Sequence, residues 1–269
     1  MADITAAMVK SFRDKTGLPM MECKKALVEA NGDEDLAIEL LRKAGKKTME
    51  KRADRSTEAG RIAIYTAPNG TTAMAELLCE SAPVSNTKEF IELLGNIVKQ
   101  LAEGPGANTA EELLAQNRLQ LEFDDLVNKI REVFKLSRIL RVESKAGTYV
   151  HHDNGIGVVL EIEGDNVDAA NNICMHVASM QPRALSQADL SDEMIAHERE
   201  IITEQTKNDN AGKPDQIIAK IVDGRMKSAM AEMCLLDQPF VMESSKSVGQ
   251  FAKDAGISIT KMHHWILGK

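Results

Sequence analysis

Apolar residues recur at helical spacing in three short bursts over the first 45 positions. Met8, Val9 and Phe12 follow Thr5, a residue able to cap a helix, and Gly17 ends the burst. Pro19 suits a first helical turn, Met20 to Ala30 follows, and Asn31-Gly32 closes it. Asp33 then caps a third segment carrying Leu36, Ala37, Leu40 and Leu41, which ends near Gly45. Residues 1–45 thus read as a three-helix module with a very small core. Residues 46–60, KKTMEKRADRSTEAG, are charged, mixed in sign and short of large apolar side chains; they read as a linker, helical at first.

From Arg61 the pattern alternates. RIAIYTAPNGTTAMAELLCE predicts two strands around Pro68-Asn69-Gly70. A long helix follows, with capping-box spacing at Asn86 and Glu89 and one stripe of Phe90, Leu93, Leu94, Ile97, Val98 and Leu101. Gly104-Pro105-Gly106 ends it. Short helices begin at Thr109 and span about 123–135, and LSRILRVE (136–143) reads as a strand. The plan then recurs: GTYVHHDNGIGVVLEIEG is a hairpin around Asn154-Gly155, followed by a helix over 166–180. Tyr65 and Tyr149 stand at nearly the same distance before their turns. These echoes predict two related α/β subdomains, 61–143 and 144–269, in an α+β chain. The second is interrupted at about 190–233 by two helical segments with narrow apolar stripes, Ile195, Ile202, Ile217 and Ile221, as in a protruding antiparallel hairpin. Residues 234–242 and 257–267 are expected to return as strands.

Composition narrows the function. Aromatic residues make up only 3% of the 269 positions and the formal net charge is −8. Neither suits base-stacking or broad phosphate-backbone binding, so no direct nucleic-acid partner is expected. A basic cluster of Lys46, Lys47, Lys51, Arg52 and Arg55 is the one feature pointing toward RNA or the ribosome. Cys23, Cys79, Cys174 and Cys234 are widely spaced, no export segment is evident, and no apolar run reaches a membrane span. Free thiols, a cytoplasmic location and no membrane association are the expectation.

Chemical motifs do not assemble. Ala211-Gly212-Lys213-Pro214 lacks the rest of a phosphate loop, and Gly104-Pro105-Gly106 follows a helix rather than a strand. The pairs His151-His152 and His263-His264 place neighbours on opposite faces if they lie on strands, which disfavours chelation. His176 on an apolar helix face reads as a hydrogen-bonded core histidine. The expectation is a chain that is not an enzyme and holds no metal or cofactor.

Three stretches are distinctive together: ITAAMVKSFRDKTGLPMMECKKALVEANGDEDLAIELLRKAG (4–45), ICMHVASMQP (173–182), and GKPDQIIAKIVDGRMK with LLDQPFVMESSKSVGQ (212–227 and 235–250). This set, in order and over essentially the whole chain, resembles the bacterial elongation factor Ts family. The resemblance implies a ubiquitin-associated-like three-helix N-terminal domain, a linker, two core subdomains of similar topology and a helical-hairpin insertion in the second. It implies a cofactor-free translation elongation factor that binds the GDP form of elongation factor Tu, promotes Mg²⁺ and GDP release, and allows GTP to rebind. A homodimer within the complex is compatible with it.

The resemblance also assigns residues. The family grips the GTPase through an Arg and a Met-Met pair, here Arg13, Met20 and Met21. Adjacent helical positions lie about 100° apart, so both methionines cannot bury equally in so small a core; one is expected to be free as a soft contact. The alternative has both filling the core, and Arg13 serving only its helix terminus. His151 matches a His that the family places near the partner's phosphate loop, with an exposed turn histidine as the plain alternative. After Cys79 the family pattern Thr-Asp-Phe-Val, whose Asp and Phe intrude toward the GTPase magnesium site, is replaced by Ser81, Ala82, Pro83 and Val84. The carboxylate and the aromatic wedge are gone, which leaves a non-exchanging, sequestering partner as the alternative function.

Overall fold

The computed structural model describes residues 4–50, 52 and 54–269, with the side chains of 46–50 outside that description. The chain divides into two compact units. One comprises the residues up to Arg141 together with Ile266–Lys269; the other is Val142–Trp265.

The first unit opens with α1 (Ala6–Thr16), α2 (Met20–Glu29) and α3 (Glu34–Glu50). Thr5 caps α1 by accepting the Met8 N–H, and Gly17 ends it with φ +68°, a left-handed conformation that costs glycine little. Asp33 Oδ1 accepts the Leu36 N–H at 3.0 Å and starts α3. These helices close on Val9, Phe12, Cys23, Ala26, Leu27, Ala30 and Ala37. The third helix passes through Gly45 to Glu50 instead of stopping near it. Glycine weakens a helix interior and commonly ends a helix by turning left-handed, which Gly45 does not do. Its role is close packing: a Cβ there would sit 1.6 Å from Asn128 Oδ1 on a neighbouring helix.

Strands β1 (Ala59–Thr66) and β2 (Thr72–Cys79) pair antiparallel with Thr66 opposite Thr72, and β3 (Lys135–Val142) completes the order β1-β2-β3. Between β2 and β3 lie α4 (Ala82–Ser85), α5 (Lys88–Glu103), α6 (Ala110–Leu114) and α7 (Leu119–Ile130). The α5 cap is Thr87, not Asn86: Thr87 Oγ1 accepts the Phe90 N–H, while Asn86 is drawn off to the Ala82 carbonyl and to Arg61. The α5 stripe packs on the sheet. α7 ends before Val133 and Phe134, earlier than its apolar pattern suggested, because Arg131 turns left-handed with φ +67°. Phe134 then folds back between Phe90 (ring centroids 5.1 Å apart) and Phe123 (6.1 Å), edge to face in both cases. The buried Glu76 carboxylate accepts from the Ser137 hydroxyl, the Arg138 guanidinium and the Gly268 N–H, and so ties the C-terminal residues into this unit. Burying an acid is costly, and these bonds are what offset the cost.

In the second unit β4 (Ala146–Val150), β5 (Ile156–Glu163) and β8 (Ser258–Ile266) form a sheet of order β4-β5-β8 beneath α8 (Val167–Met180). His176 on α8 is fully buried. Its Nδ1 accepts the Val241 N–H (3.2 Å) and its Nε2–H donates to Gln238 Oε1 (2.8 Å). Helices α9 (Asp192–Asp209) and α10 (Asp215–Met233) pack together through Ile202, Ile218, Val222 and Met226. The α10 stripe is therefore displaced by one residue from the Ile217-Ile221 reading, and Ile217 is exposed. Residues 234–242 do not join the main sheet. Only Pro239–Phe240 (β6) are strand there, paired with β7 (Glu243–Ser247) in a two-stranded ribbon, and α11 (Val248–Asp254) follows with Phe251 stacked on Phe240.

All four cysteines are free and buried, and no helix among the described residues is long and apolar enough to cross a membrane.

Candidate functional site

The N-terminal module leaves several large apolar side chains exposed, Met21 most of all. α2 turns Cys23, Ala26, Leu27 and Ala30 inward, and that inward face leaves no room for the first two residues of the helix. Met20 is 47% exposed and Met21 73% exposed. The expectation that at least one methionine is free of the core holds for both, and the alternative with both filling the core does not: the core is closed by residues that include Phe12 and Leu27. Arg13 is exposed in the last turn of α1, and its carbonyl accepts the Gly17 N–H at 2.8 Å. The αL turn at Gly17 brings the chain from Arg13 to Met20 within seven residues, so cation and methionines share the α1–α2 end of the module. Arg13 also suits the negative end of the α1 dipole; that role and partner contact do not compete.

A further apolar residue lies on the same side of α2. Val28 is exposed and stands seven residues, two helical turns, after Met21, and both line one shallow groove with Lys24 and Lys25. The i, i+7 spacing outside the Cys23–Leu27 stripe was the available signal, and the sequence reading passed over it.

Segment 81–84 behaves differently. It is not an open loop. Ser81 precedes the one-turn helix α4, and its N–H and hydroxyl both donate to Glu132, at 3.0 and 2.5 Å. The Ala82 carbonyl accepts from Ser85 Oγ and Asn86 Nδ2, both at 2.9 Å, and the Val84 carbonyl accepts from Thr87 Oγ1 at 2.8 Å. Val84 packs against the core, leaving Ala82 and Pro83 exposed. Next door, the Val133 N–H and the Arg55 guanidinium hold the Glu80 carboxyl below its ordinary pKa. Burial pushes the Cys79 thiol up to about 11, so it stays protonated and donates to the Ser81 carbonyl. The exposed part of this turn, Ala82 and Pro83, is small and apolar, with no charge of its own. Glu132, which anchors it, was not foreseen.

His151 lies in the second unit, just after β4. Its N–H donates to the Ile156 carbonyl (2.9 Å) and its carbonyl accepts the Asn154 N–H (2.8 Å), so His152 and Asp153 form the tip of the hairpin and Asn154 takes φ +59°. Both histidines fall in the turn, where strand alternation does not apply. Their rings lie 4.2 Å apart rather than on opposite faces. His151 is half-buried and shares a hydrogen bond with Tyr149 Oη (3.2 Å), whereas His152 is exposed. On β8, which is a strand, His263 bonds Glu161 at 2.9 Å, and burial lowers the His264 pKa. Among the described residues no group of three or more His, Cys, Asp or Glu could hold a metal ion.

Of the basic cluster, Lys51 and the side chains of Lys46 and Lys47 lie outside the described residues. The other two are engaged internally: Arg52 donates to the Arg131 carbonyl at 2.7 Å and Arg55 pairs with Glu80 at 3.0 Å.

Comparison with known proteins accounts for the chain as a whole. A sequence profile of the family described as elongation factor TS matches residues 83–269. The elongation factor Ts of Hahella chejuensis is 38% identical over 271 residues, spanning 100% of this chain and 93% of that protein. That of Thioalkalivibrio sulfidiphilus is 36% identical, over 99% of this chain and 92% of its own length. That of Corynebacterium urealyticum is 39% identical across the full length of both. The profile begins inside α4, so the methionine-bearing module is covered by the full-length relatives rather than by the profile. The chain belongs to the elongation factor Ts family of translation elongation factors.

Proposed function

We propose that this chain is a nucleotide-exchange factor. It binds the GDP form of elongation factor Tu through Arg13, Met20 and Met21, promotes loss of Mg²⁺ and GDP, and leaves when GTP rebinds. It transforms no substrate itself and needs no cofactor. The observation that supports the reading best is the Met20-Met21 pair, left in water on a module whose core is already full. Methionine is flexible and polarisable, and an unbranched side chain of this kind adapts its shape to a partner's surface.

The energetics are modest. Nanomolar GDP corresponds to about 12 kcal/mol of binding, but the factor need not match that. It must prefer the nucleotide-free state, and about 5.5 kcal/mol of differential affinity turns a 1:99 equilibrium into 99:1. By linkage, GTP expels the factor with the same coupling energy. Mg²⁺ bridges nucleotide phosphates in GTPases, so pressure on its site loosens GDP. Ala82 and Pro83 carry no carboxylate or aromatic ring, so any pressure from α4 is steric, exerted by a turn that Glu132 anchors. His151 and its exposed neighbour His152 supply a second, unit-two contact.

Stopped-flow release of a fluorescent GDP from elongation factor Tu tests this. Acceleration that saturates with protein concentration is expected; tight binding without acceleration would instead establish the sequestering function, which the Ser-Ala-Pro-Val segment favours. Ala82→Asp combined with Pro83→Phe sharpens the result: a large gain in release rate would mean that the natural turn is a weak lever.

A further inference from the structure

Within the first unit, the three-helix bundle meets α7 across a seam where, among the described residues, no single buried apolar cluster spans both sides. The bundle's buried residues, from Val9 to Ala37, form one cluster; those of the sheet, α5 and α7 form another. Two ion pairs cross the seam. The Arg42 guanidinium on α3 makes a two-pronged bond to Asp125 on α7, with both contacts at 2.7 Å. Arg131, at the end of α7, reaches Glu22 on α2 at 2.5 Å. Gly45 lets α3 approach Asn128 without a side chain between them. On either side the surfaces part. One cleft of about 470 Å³ is lined by Leu41, Leu93 and Leu126 together with Lys15, Glu89 and Glu122, and another of about 290 Å³ by Leu18, Lys25, Leu40 and Arg52.

A dry apolar seam would be insensitive to salt. Ion pairs with roughly a third to a half of each side chain in water are screened by it, and each biases an equilibrium only a few fold. We propose that this seam is a salt-sensitive latch: the bundle docks on α7 as a preformed body and detaches without unfolding when the Arg42–Asp125 and Glu22–Arg131 pairs are screened or replaced. Docking would fix where Met20 and Met21 stand, so that a partner engaging both the bundle and the core need not order them on binding. That consequence rests on the exchange-factor reading; the latch does not.

The experiment uses the full chain alone. All four native thiols are buried, so spin labels can be directed to Lys10→Cys on α1 and Lys99→Cys on α5, both exposed. At low ionic strength a narrow distance distribution is expected, and about 0.5 M salt should broaden it toward longer distances. Arg42→Asp should produce the same broadening at low salt, with the docked-to-detached ratio falling about five-fold or more, and Asp125→Arg added to it should restore the narrow distribution. Circular dichroism should show unchanged helix content throughout. Gly45→Ala gives an independent reading, since alanine favours the helix while its methyl group collides with Asn128: helix signal held or raised, distances broadened. The latch is overturned by a distribution that stays narrow in salt and in Arg42→Asp, by one already broad at low salt, or by a double variant as broad as the single. No GTPase is present, so failure of the exchange reading cannot mimic any of these results. If exchange holds, Arg42→Asp should also weaken binding to elongation factor Tu with Met20 and Met21 intact.

Discussion

The α1–α2 end of the bundle and the α4 turn make opposite use of their residues. At the first, Met20 and Met21 are exposed to water, outside a core that holds Phe12 and Leu27. At the second, nearly every polar group is consumed internally: Ser81 by Glu132, the Ala82 carbonyl by Ser85 and Asn86, the Val84 carbonyl by Thr87. An open apolar end suits affinity, since burying it on a partner removes it from water. A closed turn suits leverage, because only a part that does not yield can press on something else.

The largest test of that contrast separates core from surface within the bundle. Phe12→Ala should cost about 3–5 kcal/mol and abolish folding of the bundle, whereas Met21→Ala should change stability by no more than about 0.5 kcal/mol; denaturant melts read both. Comparable losses would return the methionines to the core. Next, Met20→Ala with Met21→Ala should weaken the complex with elongation factor Tu roughly 10- to 100-fold, about 1.4–2.8 kcal/mol, at unchanged melting temperature. Titration calorimetry beside thermal melting decides it.

At the turn, Glu132→Ala leaves two Ser81 donors unpaired and should destabilise the first unit by about 1–3 kcal/mol, with Glu132→Gln recovering part of the loss. If rigidity matters, GDP release should slow in Glu132→Ala while binding through the methionines holds. An unchanged release rate would separate the turn from exchange. The smallest effect is one of pH. Burial holds His176 below its ordinary pKa, with its Nδ1 accepting a backbone N–H. A base whose folded pKa is depressed stabilises the fold above its unfolded pKa, near 6.5, and loses that contribution as pH falls below it. Melting temperature should therefore drop between pH 7.5 and 5, and His176→Gln should flatten the slope; equal slopes would exonerate His176.

Much of the helical content was legible because its signals are local. Thr5, Asp33 and Thr109 cap the helices that they were expected to cap, and Asn69-Gly70 and Asn154-Gly155 fall in hairpin turns between antiparallel strands. Local signals also misled where two candidates competed. Asn86 had the capping-box spacing, but Thr87 sits one residue on and takes the cap, since Arg61, distant in sequence, claims the Asn86 side chain. The recognition motifs pointed to the family directly, and the relatives bear that out over the full chain.

What the sequence determined by itself, then, were most of the helices, the hairpin turns, the α5 stripe and the family, all written in spacings of a few residues. Tertiary structure decided the rest. Gly45 is a contact point with Asn128 rather than a helix stop. Segment 81–84 is a closed turn because Glu132, 51 residues from Ser81, folds back onto it. His151 and His152 lie side by side because the turn, not the strand, sets their directions. Both methionines stay in water because other side chains had filled the core. Each outcome depends on which distant groups arrive at the same place, and a spacing along the chain does not record that.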